Sequence, residues 1–238
     1  MDDAAITSAD EASLRAAICA AGRRLGGRDL IAAGEGNLSI RIGGGLILTT
    51  PTGRRKDELS PDDLPVVPLD HRSGISQRGP APSSDIAIHR AIYRARPDVM
   101  AIGHAHLPAS MALTLAGEIP DPQALPETAH FLPRLPFVPF GVMGSDELAD
   151  RIAGAFAAGG DPLPGAVLLE RHGAVAVGTA GPTAGLTAGP GPGIGHLESA
   201  IRQVVDRLEL VDVLCRVWRD AVILRAARGR TEPLGPVG

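Results

Sequence analysis

The sequence predicts an α/β fold in which strands and helices alternate along a single domain. Apolar residues recur every second position in some segments, which is typical of strands, and every third or fourth position in others, which is typical of helices. Hydrophobic residues make up 44% of the 238 residues, which is enough for a large core. Because no shift in composition divides the chain, we expect one domain over residues 1–228.

Charge, cysteine content and apolar run length exclude several classes of protein. The net charge is −4 and positive residues form no long run, so we expect no nucleic-acid partner. Two cysteines, Cys19 and Cys215, are too few for a disulfide scaffold and favour a reducing compartment. The N-terminal segment is acidic, unlike a signal peptide, and no apolar run reaches the length of a membrane span. We therefore expect a cytoplasmic protein without a membrane partner.

The N-terminal quarter is expected to hold a helix and a β-hairpin. Ser8 and Glu11 resemble a capping box, and the apolar spacing that follows predicts a helix over residues 9–25, which Gly26 and Gly27 end. Apolar residues then alternate with polar ones on both sides of a glycine turn. Strands are expected at residues 38–42, 46–50 and 66–69.

A serine pair precedes the next helix. The segment Pro82-Ser83-Ser84-Asp85 leads into an apolar helical pattern that ends near residue 96, so the serines are expected at the helix N-cap. A helix N-terminus with two hydroxyls and free backbone N–H groups can bind an anion. Ordinary capping uses the same residues, so both interpretations stay open.

Two histidines stand at the end of a buried strand. An apolar run from residue 99 to 104 reads as a strand, and His104 and His106 close it. Because side chains alternate faces along a strand, a His-x-His pair places both imidazoles on one side, as two ligands of one metal ion require. Structural hydrogen bonding is the alternative, and the pair alone does not decide between them.

The C-terminal half continues the alternation. His172 lies in a short kink between two apolar runs, where it could make a structural hydrogen bond or reach into a cavity. The Gly/Pro-rich segment 179–195 reads as a flexible loop, and residues 229–238 read as a disordered tail. Helices are expected at residues 109–116, 145–158 and 197–222, strands at 137–140, 166–170 and 174–178, and irregular chain at 117–136.

Six segments in unbroken order resemble the class II aldolase/adducin family, which includes sugar-phosphate aldolases and a 4-epimerase. They are GEGNLSIRI, LILTTPTG, DELSPDDL, PSSDIAIHRAIYRARPDV, GHAHLPAS and VLLERHGAVAVG. The resemblance implies a three-layer α/β/α fold around a mainly antiparallel sheet. It also implies a C4 homotetramer with the active site between subunits.

The resemblance also implies the site. It carries zinc ligands onto His104, His106 and His172, and it places Asp85 where the aldolases have a glutamate that moves a proton. The implied phosphate-binding residues are Asn37, Thr52, Gly53, Ser83 and Ser84. Three nitrogen ligands leave a coordination position open, as catalytic zinc sites do, although Mn²⁺, Fe²⁺ or Co²⁺ would also suit such ligands. The implied activity is a lyase that cleaves or forms a C–C bond in a small phosphorylated keto sugar through an enediolate.

Several positions depart from the family pattern and keep other functions open. Aspartate at position 85 is typical of the epimerase branch, but Ala129 stands where the epimerases have an acid. The C-terminal tyrosine of both branches is missing, which leaves His130 or Glu127 as substitutes, and Glu35 stands where the aldolases have a small hydroxyl residue. The alternatives are an epimerase, decarboxylase or dehydratase using the same site, or a non-catalytic adducin-like module.

Overall fold

The computed structural model describes residues 6–70, 76–179 and 194–230. The expected loop at 179–195 and the expected tail at 229–238 therefore lie almost wholly outside the described residues. The strands are β1 (Asn37–Arg41), β2 (Leu46–Thr49), β3 (Val66–Pro68), β4 (Val99–Ala105), β5 (Phe137–Val138), β6 (Ala166–Leu169) and β7 (Gly173–Thr179). The helices are α1 (Ser8–Gly27), α2 (Ile86–Ala95), α3 (Pro108–Leu115), α4 (Pro126–Phe131), α5 (Asp146–Ala157) and α6 (Ile194–Ala227).

The seven strands form one sheet in the order β3-β2-β1-β4-β7-β6-β5. Every adjacent pair is antiparallel except β5 and β6, which are parallel, so the expected mainly antiparallel sheet is confirmed. The central strand β4 pairs with β1 on one side and β7 on the other, with His104 opposite Asn37 and Val175 respectively. The sheet order thus gathers chemically important residues from distant parts of the sequence.

Helices cover both faces of the sheet, which confirms the three-layer α/β/α arrangement. One core lies between the sheet and α1, α3 and α6, and the other lies between the sheet and α2 and α5. Successive residues of β4 face opposite cores. Ile102 belongs to the second core, and Gly103 faces Val204 of α6 on the other side of the sheet. A side chain at Gly103 would collide with Val204, so glycine lets α6 pack closely on the sheet.

The start of α1 differs from expectation. Thr7, not Ser8, caps α1: its hydroxyl accepts from the Asp10 backbone N–H, and the Asp10 carboxylate accepts from the Thr7 backbone N–H. The expected Ser8–Glu11 box is wrong because Glu11 instead accepts from the Arg15 guanidinium one turn along. The helix thus begins one residue earlier than the sequence suggested.

A short helix interrupts the segment that was expected to be irregular. Helix α4 begins at Pro126, and a 3₁₀ turn at Pro122–Ala124 precedes it. Proline is tolerated in the first turn of a helix because the N–H that it lacks would have no intrahelical partner there. In the part of the chain that the structure describes, no helix is long and apolar enough to cross a lipid bilayer.

Candidate metal centre and active-site pocket

His104 lies on β4 with its side chain completely buried. Its Nδ1 is 3.0 Å from the Ala174 carbonyl on the neighbouring strand β7. Because a carbonyl can only accept, Nδ1 carries the proton, and the lone pair of the neutral ring lies on Nε2. The hydrogen bond thus fixes the ring with Nε2 as the ligand atom, as backbone carbonyls do for histidine ligands of metals.

His106 follows the end of β4, and His172 lies in the turn between β6 and β7. Gly173 allows the turn between β6 and β7 to pack closely against the end of β4. Its φ is +96°, and a Cβ there would collide with the Ala105 carbonyl and lie 2.8 Å from the His106 Cα. Only glycine adopts this conformation and leaves room for the facing backbone. The turn thereby brings His172 beside the end of β4.

The three imidazoles meet at one point. Their ring centroids are 4.7–4.8 Å apart, and one nitrogen from each ring lies within 4.8 Å of the other two. Among the described residues, the buried Nε2 atoms of His104 and His172 have no hydrogen-bond partner. Buried polar atoms are rarely left unsatisfied, so these two orphaned nitrogens fit a bound cation.

Electrostatics keeps two of the rings in the form that binds metal. Burial lowers the pKa of His104 well below its usual value, and the neighbouring His172 and His106 add to the effect. Burial also lowers the pKa of His172, with a further contribution from His106. A neutral imidazole has the free lone pair that a metal ligand needs.

A pocket of about 250 Å³ adjoins the histidines. His106 forms part of its wall, and so does Asp85, which is 7% exposed. All five residues of the expected phosphate site also line it: Asn37, Thr52, Gly53, Ser83 and Ser84. The structure therefore brings together, around one cavity next to the metal-binding group, residues that the sequence spreads between Gly34 and Met143.

The serine pair precedes the helix without capping it, so that expectation is wrong. The N-cap of α2 is Asp85, whose side chain makes no capping hydrogen bond. Ser83 Oγ instead accepts from the Asp85 backbone N–H at 3.3 Å. The Asp85 carboxylate accepts from Asn37 Nδ2 at 2.9 Å, which holds it in the pocket wall.

Lys56 is a pocket residue that sequence reasoning missed. Lysine and arginine together number 23, and Lys56 is the single lysine among them. It is 2% exposed, and its Nζ donates to the carbonyls of Gly34 and Arg54 at 2.7 and 2.6 Å. Burial lowers its pKa, and the Asp85 carboxylate opposes the shift. A solitary lysine in an arginine-rich chain was the available signal, because a site that needs a compact ammonium cannot use arginine.

The other expected residues are distributed as follows. Glu35 lines the same pocket, with its carboxylate 3.5 Å from Nδ1 of His106. Tyr93, the single tyrosine of the sequence, is 1% exposed inside the second core and so does not replace the missing C-terminal tyrosine. His130 borders a separate cavity of about 530 Å³, and Glu127 is exposed on α4. Neither of the last two lines the pocket that contains Asp85, so one chain does not provide the substitutes for the missing tyrosine that the sequence suggested.

Comparison with known proteins identifies relatives of this arrangement. The family model "Class II Aldolase and Adducin N-terminal domain" matches residues 16–186. A methylthioribulose-1-phosphate dehydratase from Methylococcus capsulatus is 40% identical over 94 residues, which are 40% of this chain and 45% of that protein. A 3-oxo-tetronate 4-phosphate decarboxylase from Haemophilus influenzae is 30% identical over 162 residues, which are 66% of this chain and 73% of that protein.

A solved structure extends the similarity beyond those segments. The L-fuculose-1-phosphate aldolase of Thermus thermophilus superposes with a TM-score of 0.70 and 27% sequence identity. The match covers 93% of this chain and 98% of that chain. The similarity therefore includes the helices on both faces of the sheet as well as the strands.

Proposed function

The chain belongs to the class II aldolase and adducin family, and we propose that it is a metal-dependent lyase of the aldolase type. Its substrate is a small phosphorylated keto sugar, in which the enzyme cleaves or forms a C–C bond. The observation that carries the proposal is the convergence of three imidazoles beside one pocket, whose wall also holds a buried carboxylate and a set of anion-binding groups.

His104, His106 and His172 would hold the divalent cation. Zinc is the proposed metal, and Mn²⁺, Fe²⁺ and Co²⁺ suit the same nitrogen ligands. Three protein ligands leave a position for substrate oxygens, as in catalytic zinc sites. When bound, the cation would act as a Lewis acid and stabilise negative charge on the carbonyl and hydroxyl oxygens of the substrate.

Asp85 is the proposed proton-transfer residue. It is the pocket carboxylate held in place by a hydrogen bond from Asn37, and its burial limits competition from water. In the cleavage direction a carboxylate takes the proton of a hydroxyl, the adjacent C–C bond breaks, and its electron pair passes to the carbonyl side as an enediolate. The enediolate then takes a proton at carbon, which the same carboxyl group can return.

The polar lining of the pocket supports recognition of a phosphate. Thr52, Ser83 and Ser84 offer hydroxyls, and Gly53 and Asn37 offer N–H groups. Lys56 adds a buried positive charge, which attracts an anion more strongly than an exposed charge does because water screens it less. Glu35 does not cancel this charge, because its carboxylate lies beside His106 and is 44% exposed.

A dehydratase acting on a similar substrate is the second candidate. The relative with 40% identity over its matched segment is named a dehydratase. The resemblance to aldolases and epimerases implies a tyrosine acid from the C-terminal region, whereas the single tyrosine of this chain, Tyr93, is buried in the core. The two candidates are distinguished by their products, since a dehydratase releases water and keeps the carbon chain whole.

We propose that the enzyme is cytoplasmic and works as a homotetramer. The segment beside the pocket exposes large apolar side chains: Phe140 is 53% exposed, Val142 72% and Met143 59%. Met143 also lines the pocket, so a subunit packed on this segment would help to enclose the substrate. Light scattering coupled to size-exclusion chromatography tests the assembly, and a monomer at micromolar concentration would contradict it.

Deuterium exchange into dihydroxyacetone phosphate tests the proposed chemistry without knowledge of the aldehyde partner. We expect the metal-loaded protein to incorporate deuterium from D₂O at the hydroxymethyl carbon, and chelation to stop the exchange. Asp85→Asn should keep one metal ion per chain but lose exchange, whereas Asp150→Asn, an exposed change on α5, should match the parent protein. Exchange by Asp85→Asn at the parent rate would remove Asp85 from the mechanism.

Product analysis separates the remaining alternatives. Ketose phosphates incubated with the protein should yield dihydroxyacetone phosphate and an aldehyde if it is an aldolase. A dehydrated product, released CO₂ from an acid substrate, or inversion of a pentulose phosphate would assign the other reactions. A protein that binds no divalent metal and exchanges no proton would be the adducin-like module.

A further inference from the structure

A continuous chain of buried hydrogen bonds runs from the core to the pocket. The Tyr93 hydroxyl lies 2.9 Å from Ser39 Oγ, and Ser39 Oγ lies 2.6 Å from His89 Nδ1. His89 Nε2 lies 2.5 Å from Asn37 Oδ1, and Asn37 Nδ2 lies 2.9 Å from Asp85 Oδ2. We call Tyr93, Ser39, His89 and Asn37 the buried relay. None of the four is more than 2% exposed.

The relay arises from the packing of α2 against β1. Asp85, His89 and Tyr93 are four residues apart at the start of α2 and along it, so they lie on one face of the helix. Asn37 and Ser39 are two residues apart on β1, so they lie on one face of the strand. Each strand side chain is hydrogen-bonded to two helix side chains, so the two rows interleave.

The chemistry of the groups fixes the direction of every bond. Asn37 Oδ1 can only accept, so His89 must donate from Nε2, and the neutral ring then accepts at Nδ1. Ser39 therefore donates to Nδ1, which leaves its oxygen to accept from the Tyr93 hydroxyl at 2.9 Å; the Met100 carbonyl is a second, longer acceptor for the same hydroxyl at 3.4 Å. The opposite orientation of the Asn37 amide would place Oδ1 against the Asp85 carboxylate, where two acceptors repel. All the donors consequently point towards the carboxylate, and such chains polarise one another.

We propose that His89 is a positioning residue for Asp85, acting through Asn37, with Ser39 and Tyr93 holding His89 in the tautomer that this requires. The inference rests on the proposed function, because Asp85 is its proton-transfer residue. His89 touches neither the pocket nor the metal ligands through a hydrogen bond. Its effect is to keep the Asn37 amide turned so that Nδ2 always faces the carboxylate.

The environment of His89 keeps the relay in one state. Burial lowers the pKa of His89 to about 3, so the ring stays neutral with one proton throughout the working range of an enzyme. Burial also raises the pKa of the Tyr93 phenol, which therefore keeps its proton. Neither His89 nor Tyr93 therefore gains or loses a proton near neutral pH.

Nitrogen NMR of the imidazole tests the relay independently of any activity. We expect the ¹⁵N shifts of His89, assigned by comparison with His89→Gln, to report the neutral tautomer protonated at Nε2. The shifts should not change between pH 8 and pH 5.5. Protonation at Nδ1, or a charged ring within that range, would overturn the inference even if the enzyme proved active.

Three variants at and beyond His89 test its effect on turnover by the deuterium-exchange assay. His89→Leu removes both bonds and should lower kcat by about 10- to 100-fold, the usual effect of losing a residue that orients an active-site group. His89→Gln retains a donor near the Nε2 position and should recover most of this loss. Tyr93→Phe, at the far end, should cost about fivefold, which corresponds to one hydrogen bond. Arg94→Gln, an exposed change on the same helix, is the matched control and should leave kcat unchanged.

The outcomes distinguish the inference from a structural role and from the proposed function. If His89→Leu and His89→Gln lose the same activity, or if both lose the metal, His89 serves the fold alone. If Asp85→Asn loses exchange while a folded His89→Leu matches the parent protein, the inference fails and the proposed function stands. If the parent protein shows no exchange, the proposed function fails, and the imidazole tautomer still decides whether the relay exists. Should His89→Leu not fold, Ser39→Ala and Tyr93→Phe must each lower kcat, and parent activity in both would overturn the inference.

Discussion

Metal binding should stabilise this protein strongly, and removing one histidine should abolish the effect. The fold buries Nε2 of His104 and of His172 without hydrogen-bond partners among the described residues. A cation that binds both nitrogens satisfies them and binds only the folded chain, because the ligands come from the end of β4 and from the turn between β6 and β7. The perturbation is the addition of Zn²⁺ to metal-free protein, repeated with His172→Ala.

The expected size follows from linkage. At a free metal concentration of about 1,000 times Kd, binding adds about 4 kcal/mol to the free energy of unfolding. For a domain of this length, 1 kcal/mol raises Tm by about 2–4 °C, so zinc should raise Tm by about 8–16 °C. If His172→Ala raises Kd to the metal concentration itself, the gain falls to about 0.4 kcal/mol, or about 1 °C.

Differential scanning calorimetry measures the zinc-induced rise in Tm of the parent protein and of His172→Ala. Metal-free protein is scanned with chelator and with buffered Zn²⁺, and His130→Ala, an exposed histidine on α4, serves as the control. The control should keep the full shift. His172→Ala should keep a normal apoprotein Tm, because it removes an orphaned buried nitrogen as well as a ligand. An equal zinc shift in His172→Ala and the parent protein would refute the three-ligand centre, and so would the absence of any shift in the parent.

Three further predictions concern the turn and the pocket. Gly173→Ala should weaken zinc affinity at least tenfold by titration and lower Tm, because a Cβ collides with the Ala105 carbonyl and φ is +96°. Lys56→Met should raise KM for a phosphorylated substrate about tenfold or more and leave metal content unchanged, since it removes the buried charge of the pocket. Ser83→Ala combined with Ser84→Ala should raise KM for phosphorylated substrates and leave KM for unphosphorylated analogues unchanged.

Each of these predictions has a control and a contrary result. Gly154→Ala, in an open position on α5, should leave zinc affinity unchanged, and a loss there equal to that of Gly173→Ala would discount the turn geometry. Arg55→Met removes an exposed positive charge next to Lys56, so an equal rise in KM would mean that general charge, rather than the buried ammonium, attracts the substrate. Equal effects of the serine changes on both substrate types would argue against phosphate contact.

Local pattern was sufficient for most of the fold. The alternation around His104 predicted a buried strand, and β4 (Val99–Ala105) confirms it. The hairpin before it and the long last helix also follow expectation, because their apolar spacing is regular over several turns or pairs. Apart from helix α4, which lies in a segment expected to be irregular, the failures are at the ends of elements. The observed N-caps of α1 and α2, Thr7 and Asp85, lie one or two residues from the predicted ones. Capping depends on which side chain reaches a free backbone N–H, and several neighbouring residues compete for it.

The site required information that local pattern lacks. His104 and His106 could be paired from strand periodicity, but His172 joins them only because β7 pairs with β4, which is a long-range event. Asn37 and Asp85 carried only a role implied by resemblance, and their mutual hydrogen bond was not foreseen. Lys56 was missed because a lysine in a polar segment normally lies in solvent. Its burial depends on the approach of the Gly34 loop, whose carbonyl accepts from it.

One strand register supports the metal centre and the proton-transfer group together. In the antiparallel pairing of β1 with β4, Asn37 lies opposite His104 and Ser39 lies opposite Ile102, so all four side chains point to the α2 face of the sheet. A slip of one residue would turn Asn37 and Ser39 towards the α6 face, which would break the buried relay. The same slip would remove Asn37 from its place beside His104 in the pocket wall. The packing that orders the core therefore also sets the distance between the candidate base and the candidate cation, which explains why polar residues occupy so buried a position on β1.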